Sequence, residues 1–250
     1  MHKEMADRVV QAIGLAEPPI AIYYANEKPE GAFSWDCQGE HFCFVGSLSV
    51  ARQGTPVAVD GQNPGCAGAA YYLGWNDELR PGFEYFLSHD SEGRGERFKK
   101  TPELVREFVK ARRFVAASGR YCIFRRLADL ADQVTPEVIT IFGDPDDMSG
   151  LLTLANYGRA SNYEVIAPMS SGCGTIVGEP RAQAREPQPK AVLGLFDPTV
   201  RPRVEKNYLT FSAPYGMFVE MVENIPGSFL EIEPWLKVRN RRSSQASTKS

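Results

Sequence analysis

The chain of 250 residues has only three histidines, and it contains no G-x-x-x-x-G-K-[ST] phosphate loop, no G-x-G-x-x-G turn, no H-E-x-x-H and no G-x-S-x-G. A histidine-rich metal site or a Ser-His-Asp triad therefore has few candidates, and His2 at the terminus and His89 in a polar stretch read as solvated. No apolar run reaches the length of a membrane span. Residues 1–15 (MHKEMADRVVQAIGL) carry acids and helical periodicity where a signal peptide would be continuously apolar. A cytoplasmic protein with no membrane partner is expected. Repeats and low-complexity linkers are also missing, so one continuous domain is expected over residues 1–242.

Positive charge is scarce away from the end of the chain. Of 28 lysines and arginines, five (Lys237, Arg239, Arg241, Arg242 and Lys249) lie in a last segment without acids, leaving 23 bases against 31 acids in the remainder. A body that acidic repels phosphates and argues against a nucleic-acid partner. Ser243, Ser244, Ser247 and Thr248 surround the basic end, so 243–250 is expected to be a disordered tail. Arg120, Arg125 and Arg126 form a second basic concentration, which ion pairing with Asp129, Asp132 and other surface acids explains most simply.

With 43% apolar residues the chain can bury a core without disulfides or metals, so a bound metal would be functional. Met5, Val9 and Ile13 mark an opening helix ending near Gly14. Strands are expected at 20–25, 56–59, 120–127, 137–142, 163–168, 190–196 and 208–212. Helices are expected at 41–52, 66–73, from Thr101-Pro102 with Leu104, Val105, Phe108 and Val109 inside, and from Asp144-Pro145 with Met148, Leu151, Leu152 and Ala155 inside. Ser228-x-x-Glu231 reads as a capping box for a last helix. Residues 88–100 read as an exposed loop. Tyr71, Tyr72, Trp75, Phe83, Tyr85 and Phe86 suit a core or a dimer face, so the oligomeric state stays open. Alternating strands and helices indicate an α/β fold, a single domain with a mixed β-sheet flanked by helices.

Five scattered cysteines fit a reducing compartment better than a disulfide framework. Three share a local context: Cys43 just inside a helix start, Cys66 after Asn63-Pro64-Gly65 at another, and Cys173 within Ser170-Ser171-Gly172-Cys173-Gly174 after a strand. Backbone N–H groups at such places stabilise a thiolate, and glycines let a bulky ligand approach. A single cysteine more often fills space in a core. That reading suits Cys122 in the apolar run Tyr121-Cys122-Ile123-Phe124, while Cys37 is intermediate.

The run Cys43-Phe44-Val45-Gly46-Ser47-Leu48-Ser49-Val50-Ala51-Arg52, followed by Asn63-Pro64-Gly65-Cys66-Ala67-Gly68 and Leu73-Gly74, resembles the ArCR family, domain of unknown function 169. Glu17-Pro18-Pro19-Ile20-Ala21-Ile22, Ile141-Phe142-Gly143-Asp144-Pro145 and Cys173 extend the likeness over most of residues 5–235. The resemblance implies no reaction, because the family is uncharacterised, but many members carry cysteines matching Cys43, Cys66 and Cys173. Members also often have a late segment rich in glycine and cysteine, which here reads Thr210 to Gly216 without a cysteine.

A structural zinc site usually takes four ligands with C-x₂₋₄-C pairs, and no such pair exists. Three separated thiolates suit an iron–sulfur cluster of the [4Fe-4S] type bound by Cys43, Cys66 and Cys173, with the fourth iron open to a small molecule or held by Cys37, His41 or Cys122. A redox protein of anaerobic metabolism with a redox partner or small-molecule substrate is expected. The alternative is a metal-free cysteine enzyme or small-molecule binder, with Cys173 as nucleophile and His41 as its base.

Overall fold

The computed structural model describes residues 1–36, 41–89 and 95–247, with side chains as far as Asn240. Seven strands form one mixed sheet: β1 (Ile20–Ala25), β2 (Val57–Asp60), β3 (Tyr121–Arg126), β4 (Val138–Gly143), β5 (Val165–Ile166), β6 (Ala191–Gly194) and β7 (Leu209–Pro214). Their order across the sheet is β2-β3-β1-β4-β7-β6-β5, antiparallel throughout except for the β5/β6 pair.

Alternation along each strand sends side chains to two faces. Ala21, Tyr23, Ile123, Ile139, Ile141, Phe211 and Ala213 meet α1 (His2–Ile13), α6 (Pro145–Tyr157) and α8 (Tyr215–Glu223) on the first face. Ile20, Ile22, Val57, Val59, Cys122, Phe124, Val138 and Phe142 point the other way, under α2 (Leu48–Arg52), α3 (Ala67–Tyr72) and the 174–183 segment. Both faces are covered, which makes three layers around the sheet.

Local chemistry fixes the helix ends. Gly14 closes α1 at φ 84°, where a side chain would be strained. Asp144 accepts from the N–H groups of Asp146 and Asp147, and Asp147 returns a bond to the Asp144 N–H, a reciprocal capping box that starts α6 at Pro145. Thr101 caps α5 (Pro102–Ala111), its Oγ1 accepting the Leu104 N–H. Trp235, at the start of α9 (Glu233–Ser247), packs so closely on Gly150 of α6 that a Cβ there would strike its ring, and it donates its indole N–H to the Ala12 carbonyl.

Several expectations are corrected. Leu104 and Leu152 stand 43% exposed, whereas Leu154 lies inside. Ser228 caps a short 3₁₀ turn, Phe229–Glu231, instead of the last helix. His2 is buried rather than solvated, its Nε2 3.1 Å from the Tyr215 hydroxyl. The expected ion pairing of the arginines holds for Arg126 with Asp129 and for Arg120, which pairs bidentately with Asp60, but Asp132 holds the N-terminal amine instead of an arginine. The tail expected over 243–250 falls on the end of α9, whose side chains are not described, and on residues 248–250, which lie outside the description. The loop expected at 88–100 begins as the end of α4 (Phe83–Ser88), and its residues 90–94 are likewise outside. Among the described residues no helix is long and apolar enough to cross a membrane.

Candidate functional site

Cys43, Cys66 and Cys173 come from three distant stretches of chain, all covering the second face of the sheet. Phe42 donates its N–H to the Gly65 carbonyl at 2.9 Å, which ties the residue before Cys43 to the residue before Cys66. Gly65 is needed there twice over: its φ is +83°, and a Cβ would stand 2.6 Å from the Phe42 oxygen. Trp35 stacks on Phe42 at 4.2 Å and closes that side.

Cys43 is extended and precedes the 3₁₀ turn Phe44–Ser47. Cys66, also extended, is the N-cap of α3, and its Sγ accepts the Ala69 N–H at 3.3 Å. Cys173 is already helical and sits directly before a π-helical segment, Gly174–Gly178, that continues into α7 (Glu179–Gln183). The Ser171 Oγ lies 3.1 Å from the Cys173 Sγ and accepts the Gly174 N–H, which leaves the hydroxyl hydrogen available to the sulfur.

Gly68 shows how close two of the sulfurs are. A Cβ at that position would stand 3.8 Å from the Cys66 Sγ and 4.0 Å from the Cys173 Sγ. The separation of the two sulfurs cannot exceed those two distances together, and the space beside them is kept by an absent side chain.

Burial pushes the Cys173 thiol far above the ordinary cysteine range. Negative charge on Cys66 pushes it further, charge on Cys43 and Asp197 adds to this, and the Ser171 contact opposes it. Tyr72 borders the same sulfur and is pushed up to about 12, first by burial. On its other side the Arg112 guanidinium lies 4.4 Å from the Tyr72 ring centre and bonds Glu179. A buried thiol that neighbouring sulfurs keep from ionising, as at Cys173, either remains protonated or surrenders its proton to a cationic centre.

Among the described residues no three of histidine, cysteine, aspartate and glutamate are arranged for a single metal ion. A groove of about 470 Å³ between residues 77–84 and α5 includes none of the cysteines in its lining. Cys173 is buried, and Cys43 and Cys66 are partly exposed.

The candidates for a fourth ligand separate. Cys122 is fully buried in β3, its thiol raised by burial to about 12, and its charged and polar neighbours are Tyr24, Arg181 and Glu137 rather than the other cysteines. His41 is exposed next to Phe42. Cys37 lies outside the described residues. Gly68, Ser171, Tyr72 and Asp197 complete the surroundings and were not singled out from sequence; the Cys66-x-Gly68 and Ser171-x-Cys173 spacings carry the only signal for two of them.

Fold and site together define a three-layer α/β protein with three cysteines, one buried and two partly exposed, over one face of its sheet. The chain belongs to the uncharacterised ArCR family, domain of unknown function 169, whose model matches residues 8–224. No curated protein and no solved structure matches it.

Proposed function

We propose that Cys43, Cys66 and Cys173 hold an iron–sulfur cluster of the [4Fe-4S] type, and that the protein serves redox metabolism with one iron open to a small molecule or a redox partner. The observation that carries this reading is the meeting of three cysteines from three chain segments, with the bare Gly68 beside two of their sulfurs. Each cysteine of such a cluster binds a different iron, so its ligands stand farther apart than those of one shared ion.

The donor set fits as well. Ala69 N–H and the Ser171 hydroxyl point at ligand sulfurs, and hydrogen bonds to sulfur together with an apolar shell are the means by which a protein tunes such a centre. When bound, the group would supply one-electron transfer or Lewis acidity at its open iron. The chain's own part is to hold three thiolates, exclude water through Trp35, Phe42 and Tyr72, and keep Cys122 apart.

The test is anaerobic purification followed by iron and sulfide analysis. Brown protein that bleaches in air supports the reading; colourless, iron-free protein moves it to metal-free cysteine chemistry at Cys173.

A further inference from the structure

We propose that Cys66 and Cys173 form a redox pair that closes to a disulfide beside Gly68 when a hydroperoxide reaches the site. Both sulfurs lie within 4.0 Å of a single point, the missing Gly68 Cβ, so no side chain at that position separates them. Cys66 is also the thiol that weighs most on Cys173 electrostatically, ahead of Cys43. A disulfide needs the sulfurs at about 2.05 Å, so closure requires the Cys66 sulfur to leave the Ala69 N–H that it now accepts.

The two sulfurs are unequal, and this orders the steps. Cys66 is partly exposed and Cys173 is buried. Cys66 therefore meets the oxidant first: its sulfur attacks one peroxide oxygen, the O–O bond breaks, and the other oxygen leaves as water or alcohol after taking the thiol proton. The resulting sulfenic acid on Cys66 is attacked by the Cys173 sulfur. The S–S bond forms, the S–OH bond breaks, and hydroxide leaves with the Cys173 proton as water. Two thiols and one hydroperoxide give one disulfide and two hydroxylic products, with two electrons passed to the peroxide.

As regulation of the site this rests on the iron–sulfur reading, since closure would withdraw two of the three cluster ligands at once. The sulfur chemistry is measured without reference to iron, so either idea can fail alone. The full-length protein as purified is treated with hydrogen peroxide, capped with N-ethylmaleimide, digested without reductant and analysed by mass spectrometry. The expected product is a Cys66–Cys173 linked peptide as the dominant cross-link. In Cys173→Ser, a dimedone adduct on Cys66 should rise several-fold, and Gly68→Val should lower the wild-type cross-link several-fold. A dominant Cys43–Cys66 link, or over-oxidised Cys66 and Cys173 with no link between them in wild-type protein, would overturn the proposal. The wild-type measurement decides it even if a variant fails to fold.

Discussion

At the residue scale, the cysteines divide by their surroundings. Replacing Cys43, Cys66 or Cys173 by alanine should each remove most of the iron, because a missing thiolate leaves an iron undercoordinated. Cys122→Ala should keep its iron and cost about 1 kcal/mol of stability through lost packing in β3. Iron analysis beside chemical denaturation reads both effects. Gly68→Ala is the sharper substitution. The new methyl would make ordinary contacts with both sulfurs, and alanine favours the helix by about 0.5–1 kcal/mol, so thiols that merely pack would leave a protein as stable as wild type or more so. A centre that needs the space should instead lose iron while the fold is retained.

Glu96 offers a residue-scale test by pH. Burial, reinforced by Asp197, raises its carboxyl from 4.5 to about 7. The folded state therefore holds this proton more tightly than the unfolded chain. The stabilisation is full below pH 4.5 and is lost as pH rises toward and through about 7. Glu96→Gln should flatten the fall in melting temperature across that interval, and an unchanged slope would show that other groups set it.

At the scale of elements, the strand cores were legible because short, largely apolar runs such as IAIYYA and EVITIF sit between turn residues, and β1 and β4 fall within a residue of those runs. Helix starts at Thr101-Pro102 and Asp144-Pro145 were equally plain, because capping is local chemistry. Asp144→Ala, which removes the acceptor for two N–H groups, should cost about 1 kcal/mol by thermal or denaturant unfolding. Of the helical stretch around 174–183 only a start near Cys173 was legible, not its extent. Gly172, Gly174, Gly178 and Pro180 look like loop residues, yet here glycine lets this segment approach its neighbours: a Cβ on Gly174 would strike Tyr72 and the Ser170 hydroxyl, and one on Gly178 would strike Arg112 and Tyr72. Arg181, buried at its end, donates to Glu137 and to the carbonyls of Leu73, Val115 and Ala116 and so fastens the segment to the sheet. Such a tertiary anchor has no signature in the local sequence.

At the scale of the whole molecule, the three cysteines could be picked out one by one, but not their meeting. The reasoning from helix starts fits Cys66, the N-cap of α3, better than Cys43, which precedes a 3₁₀ turn, or Cys173, which is already within a helical turn. What gathers them is topology: α2, α3 and the π-helical segment all cover the same face of a sheet whose other face is occupied by α1, α6 and α8. That arrangement depends on contacts between residues more than a hundred positions apart, and local patterns do not encode it. The central claim is that this gathering serves a cluster. Its most direct measurement is iron and acid-labile sulfide per chain in protein purified without oxygen: the account expects about four of each for a [4Fe-4S] centre, and colourless protein with neither iron nor sulfide would contradict it.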